Sequence, residues 1–308
     1  MKRKFLIFAA LILILPIGGN VSAQVVENDS GQNSEPNPKH NSAPNVGYFL
    51  GLKLSPEIRV IIKDIERKTG NEIYGEFGEL DEFMLGASFI TEDGIPVIHI
   101  DYKLEDGDDK KLEAVIVHEL LHLRLTANGY PAFLFSENIN MTKGRAIDTE
   151  QSNINDLRSL IEHQIFKADM QKFGLYKYID LAGDTAKLAR NQKGQESGQD
   201  SSINYARAIL EYPNQKDIQE VKNIYTANKW TRALREGETI AGMIGASNIK
   251  TPADAEALFL KCITVLYPMP NTSYNFKLTL DPKIKTYRRM IVSIARRKVT
   301  APRRSKRN

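Results

Sequence analysis

The residues best equipped for chemistry in this 308-residue chain are His118, Glu119 and His122, in the run His118-Glu119-Leu120-Leu121-His122. On a helix, residues four apart share one face, a turn apart. Two imidazoles so placed can both reach one Zn²⁺ at about 2.0–2.1 Å. Glu119 projects about 100° round the axis from His118 and about 60° from His122, which puts it beside such an ion without ligating it. From there its carboxylate can hold the water that the ion activates and take its proton, so Glu119 is the candidate catalytic residue. The chain has five histidines and one cysteine, Cys262. That excludes an intrachain disulfide framework and a cysteine-rich zinc knuckle, and leaves imidazole and carboxylate as the ligands of any ion.

The motif must be held by a helix, and the pattern predicts one over 110–128, with Gly129 as its stop. That helix is apolar almost all round (Val115, Ile116, Val117, Leu120, Leu121, Leu123), the signature of a buried helix. Two imidazoles and a carboxylate inside such a rod cost on the order of several kcal/mol unless an ion or other partners hold them. The acidic turn Glu105–Asp109 precedes it. It lacks the spacing and distal Glu of a calcium loop and reads as a turn whose acids suit the next helix's N-terminus. Further upstream, Ser55-Pro56-Glu57 opens a helix that Gly70 ends. Short β-like runs follow near 72–77 and 84–91. In a clearer run over 95–102, Ile98, Ile100 and Tyr102 face one side, with Val97, His99 and Asp101 on the other.

A catalytic zinc takes three protein ligands and keeps one position open. The third ligand here is expected from a second long helix, 154–173, whose core stripe is Ile154, Leu157, Ile161, Ile165 and Ala168. At 100° per residue Glu162 falls nearer that stripe. His163 points toward solvent or a second packed element. Glu162 is therefore the first expectation for the third ligand and His163 the alternative, ahead of Asp148, Glu150 and Asp169. The metzincin continuation would need Gly at Leu125 and His at Asn128, so that class is excluded.

The five-residue motif on a buried helix, with a Glu from a later helix, resembles the gluzincin branch of the zincin (HExxH) zinc metallopeptidases. The resemblance covers about residues 50–175. It implies an α+β fold with a zincin-like domain (a small mixed sheet and an active-site helix) followed by a mainly α-helical C-terminal half. It implies Zn²⁺ as cofactor, peptide-bond hydrolysis with Glu119 as general base, and a peptide or protein substrate paired against an edge strand, the part the run 95–102 would play. It also implies a side chain that stabilises the oxyanion, for which His99, Arg158, Tyr205 and Tyr225 are candidates. Where the thermolysin-type continuation places an Asp, this chain has Phe166. A non-catalytic zinc-binding surface protein and a hydrolase of cell-wall amide bonds are the alternative readings.

The rest of the chain sets the context. Residues 1–23 read as a signal peptide: Lys2, Arg3 and Lys4, an apolar run, then Val21-Ser22-Ala23 with cleavage after Ala23. A secreted or periplasmic location follows. Residues 24–46, rich in Asn, Ser, Pro, Gly and Gln, read as a disordered leader. A catalytic domain over 47–183, a flexible loop over 184–202 and a helical C-terminal region over 203–308 complete the expected organisation. That last region has helices near 202–211, 216–228, 230–244 and 252–266, a β-like run 274–280 and a basic final helix. The precursor's net charge is +4. Removal of 1–23 leaves +1, and nine basic residues without an acid stand after Tyr287, so 24–285 carries −8. The tail suits contact with an anionic surface or simple solvation, and an exported protein has no nucleic acid as partner. Cys262 reads as a packed helix residue.

Overall fold

The computed structural model describes residues 48–80, 84–91, 93–135, 145–179, 185–191, 198–212, 214–268, 272–280 and 288–296. The expected signal peptide and leader, and the basic residues after 296, lie outside the described residues.

The first described elements are the short hairpin β1 (Tyr48–Phe49) and β2 (Leu52–Lys53), then α1 (Pro56–Thr69). Ser55 caps α1 by accepting from the Ile58 N–H, Pro56 takes its first turn, and Gly70 ends it at φ 78°, a left-handed conformation suited to glycine. Three strands follow: β3 (Tyr74–Gly78), β4 (Gly86–Ile90) and β5 (Pro96–Asp101). They form a mixed sheet in the order β3-β5-β4, with β3 parallel and β4 antiparallel to β5. The strand expected at the edge is therefore the central one, and β4 is the edge beside the motif helix. Ile98 and Ile100 are fully buried on the core face, while Tyr102 has left the strand for a 3₁₀ turn and is 57% exposed.

The motif helix is α2 (Asp109–Ala127), capped by Asp108 through the Lys110 N–H. α1 packs on one side of it and the sheet on another. Its all-round apolar pattern is answered by burial of Leu112, Ala114 to Val117, Leu120, Leu121 and Leu123. β6 (Ala132–Phe135) and the 28-residue α3 (Arg145–Lys172) come next, α3 starting earlier than its apolar stripe suggests.

The remaining helices are α4 (Thr185–Asn191), α5 (Gln199–Glu211), α6 (Gln215–Ala227), α7 (Thr231–Gly245) and α8 (Pro252–Leu266). Part of the expected loop 184–202 is thus helical, in α4 and the first turn of α5. The C-terminal region differs more. The expected final basic helix is the strand β8 (Arg288–Arg296), which pairs antiparallel with β7 (Thr272–Leu280) and parallel with β6. The run Met290-Ile291-Val292-Ser293-Ile294 carries that preference in its β-branched residues. The fold is α+β, with eight α-helices and small sheets among the described residues, and it is mostly helical. One hydrophobic core runs from Leu50 to Tyr267 and takes side chains from α1, α2, α3, α5, α7 and α8. A smaller cluster around Tyr205, Tyr225 and Trp230 lies apart from it. Among the described residues, no helix is long and apolar enough to cross a membrane.

Candidate metal centre

His118 and His122 lie one turn apart on α2, as their spacing requires, and their Nε2 atoms are 3.1 Å apart. His163 of α3 completes the group: one ligand nitrogen from each of His118, His122 and His163 lies within 4.8 Å of the others. The rings pack edge to face or tilted, with centroids 4.7 Å (118–122), 4.9 Å (118–163) and 5.3 Å (122–163) apart. Phe166 sets its ring against all three, at 4.9–5.5 Å. The residue standing where a thermolysin-type sequence has an acid is thus the apolar floor of the cluster. Three imidazoles are close enough here to hold a metal ion.

Glu162 is adjacent but differently engaged. Its Oε2 accepts from His122 Nδ1 at 2.6 Å, and its Oε1 accepts from Arg158 Nε at 2.7 Å. Arg158 also donates to the Thr126 hydroxyl, 3.2 Å away. A carboxylate on Nδ1 fixes the tautomer that leaves Nε2 free to ligate. The geometry therefore brings His163, the second choice of the helical wheel, into the cluster and gives Glu162 an orienting contact. The reason is packing. α3 is buried on two faces, with Glu162 4% and His163 5% exposed, because α5 covers the side that a single-stripe wheel leaves to water. Leu160, Phe166 and Met170 are buried on that second side and were its signal in the sequence.

The donor set suits an ion. Three neutral imidazoles are a ligand set for borderline cations such as zinc. Two Nε2 atoms 3.1 Å apart are close to the edge of about 3.3 Å that a tetrahedron of such bonds would have. His118 Nδ1 is buried without a hydrogen-bond partner among the described residues. Burial, and then His122 and His163, hold the His118 imidazolium well below the usual histidine range, so the ring is kept in the neutral, ligating form.

Glu119 is buried on the other flank of α2, against β4. Its Oε2 accepts from the Ser88 hydroxyl at 2.7 Å. A Cβ on Gly86 would come within 2.7 Å of Val115 Cγ1 and 3.0 Å of Glu119 Oε1, so only glycine admits the strand this close to the carboxylate. The register explains both contacts. Gly86 and Ser88 pair with Ile100 and Ile98, which places them on the core face of the sheet. Burial pushes the Glu119 carboxyl up, opposed by His122 and by Ser88. Glu162 goes the other way: burial favours its neutral form, but Arg158 and His122 outweigh that and hold it below the ordinary value.

The expected oxyanion candidates lie elsewhere or are already engaged. His99 projects from the opposite face of the sheet, beside Phe89 and paired with Glu76. Tyr205 and Tyr225 belong to the separate cluster, where the Tyr225 hydroxyl donates to the Ser201 carbonyl. Arg158 clamps Glu162. Asp169 pairs with Arg124. Cys262 is fully buried in α8, and burial pushes its thiol up to about 12. Spacing in the sequence carries no signal for Gly86 and Ser88, because strand register brings them to Glu119. Compared with protein-family models, with curated proteins and with solved structures, the chain matches none of them.

Proposed function

We propose that this chain is an exported zinc-dependent hydrolase that cleaves peptide bonds, with His118, His122 and His163 as metal ligands and Glu119 as general base. The observation that carries the reading is the convergence of three imidazoles, one already oriented through Nδ1 by Glu162, beside a buried α2 carboxylate whose Oε2 accepts from the Ser88 hydroxyl. A bound Zn²⁺ would supply Lewis acidity, polarising a carbonyl and making water a nucleophile near neutral pH. The chain's own groups divide the remaining work. Glu162, fixed by Arg158, keeps the proton of His122 on Nδ1. Ser88 holds Glu119 Oε2 and so leaves Oε1 to take a proton and return it to a leaving amine. Burial raises the basicity of that carboxylate, which a general base requires. Phe166 closes the floor of the cluster to water. Export rests on the form of residues 1–23, and the zincin-like character of the fold rests on the His118–His122 motif and the sheet-backed helix that carries it.

Two measurements on the mature protein test the reading. Elemental analysis after zinc loading and dialysis is expected to give one zinc per chain, and none at all would end the proposal. Glu119→Gln is expected to retain that zinc while losing peptide hydrolysis by about 10²-fold or more. Full activity in that variant would remove the general-base role, and zinc without turnover on any peptide would make the centre a binding site only.

A further inference from the structure

The third imidazole has its own support, and it comes from the other half of the chain. His163 Nδ1 is hydrogen-bonded to Glu211 Oε1, the last residue of α5. Glu211 is 4% exposed and His163 5%. The other oxygen of Glu211, Oε2, faces Nε of Arg207, one turn earlier on α5, at 3.6 Å, an ion pair without a hydrogen bond, while Arg207 donates through Nη2 to Asp156 of α3 at 2.9 Å. The same i, i+4 spacing stands behind His122, where Arg158 of α3 does hydrogen-bond Glu162, at 2.7 Å. Two of the three imidazoles are thus backed at Nδ1 by a buried glutamate, and each glutamate by an arginine one turn before it.

The fold also supplies an internal contrast. Arg232 and Glu236 of α7 repeat the i, i+4 pair with the carboxylate equally buried, at 5%, but its other oxygen accepts from the Ser202 hydroxyl at 2.9 Å. That pair ties α7 to α5. The Arg–Glu clamp is therefore a recurrent way of burying a carboxylate, and what differs is the group it is aimed at.

We infer that Glu211 is a positioning residue of the metal centre: it holds the proton of His163 on Nδ1, presents Nε2 as the ligand atom, and makes α5 a structural part of the site. The inference rests on the metal reading above. In the structure the Ser159 hydroxyl lies 3.0 Å from His163 Nε2, as expected of a donor to an unprotonated nitrogen. A carboxylate can only accept, so the proton between His163 and Glu211 belongs to Nδ1. Carboxylates in this relation to a ligating imidazole typically change metal affinity 10–100-fold when removed.

The test uses the full mature chain. Zinc affinity is measured by competition with a chromophoric chelator for the wild type, Glu211→Leu, Glu211→Gln and the control Glu236→Leu. Affinity is expected to fall about 10–100-fold in Glu211→Leu, less in Glu211→Gln, which keeps an acceptor, and to be unchanged in Glu236→Leu. Wild-type affinity in both Glu211 variants, or an equal loss in Glu236→Leu, overturns the inference. A second readout needs neither metal nor a variant: ¹⁵N shifts of the His163 ring in the zinc-free wild type are expected to report a protonated Nδ1 and a bare Nε2, and the opposite tautomer overturns it. A wild type that binds no zinc removes the metal reading, while the ring shifts still decide separately whether Glu211 fixes this imidazole.

Discussion

Two buried carboxylates on neighbouring helices, Glu119 and Glu162, have nearly the same exposure, 6% and 4%, and opposite electrostatics. Glu162 meets an arginine and the Nδ1–H of a histidine, and together they outweigh burial to keep it ionised. Glu119 meets a strand edge, where Ser88 gives one neutral hydrogen bond and burial prevails. A carboxylate whose two oxygens are both engaged by strong donors can orient a neighbour but has little basicity to offer. One that is buried and weakly paired is costly to keep and available for proton transfer. Separation of two titrating groups in this way commonly marks which does chemistry and which supports it.

The contrast can be broken at either end. Glu162→Ala is expected to have the largest effect on stability. It leaves Arg158 and the Nδ1 donor of His122 without their acceptor, which costs about 3 kcal/mol in denaturant unfolding of the metal-free protein. A loss under about 1 kcal/mol would mean that the clamp contributes little. Next is Gly86→Ala, whose methyl meets Val115 and Glu119. A destabilisation of about 1–3 kcal/mol is expected, with loss of the proposed peptidase activity but retained zinc, since the added methyl meets Glu119 and Val115. Loss of zinc along with activity would show that the strand also supports the ligands.

Glu119 should behave oppositely to Glu162. Its folded-state carboxyl titrates above the unfolded value of about 4.3, so its favourable contribution is present below that value and lost as pH rises through the folded one. At pH 7 the zinc-free Glu119→Gln variant is therefore expected to melt higher than the wild type, by on the order of 2 °C, while losing activity. A lower melting point would show that the ionised carboxylate is stabilising after all. The smallest effect is expected from Ser88→Ala. With that hydrogen bond gone, burial is less opposed and the carboxyl rises further. A base works ionised, so the acid limb of the kcat/KM profile should move to higher pH, and an unmoved limb would detach Ser88 from Glu119's titration.

Much of the local architecture is written in the chain. Ser55-Pro56 and Gly70 set the ends of α1, Gly129 follows α2, and the β-branched run before Asp101 forms its strand. The pairing of His118 with His122, and the burial of the helix that carries them, follow from a four-residue spacing inside an apolar sequence. These are short-range facts, fixed by helical periodicity and by the free energy of burying leucine, isoleucine and valine. What the spacing could not supply was anything set by how elements dock. The third imidazole depends on α3 being covered on two sides, so that His163 and not the stripe-side Glu162 joins the cluster. Ser88 and Gly86 reach Glu119 only because β4 takes the edge of the sheet in one register. Glu211 reaches His163 across 48 residues of sequence. The final strand, expected as a helix, owes its state to pairing with the preceding strand β7 and with β6, which lies far from it in the chain. Periodicity names the face a residue occupies, but whether that face meets water, a strand or another helix is decided by packing between distant segments.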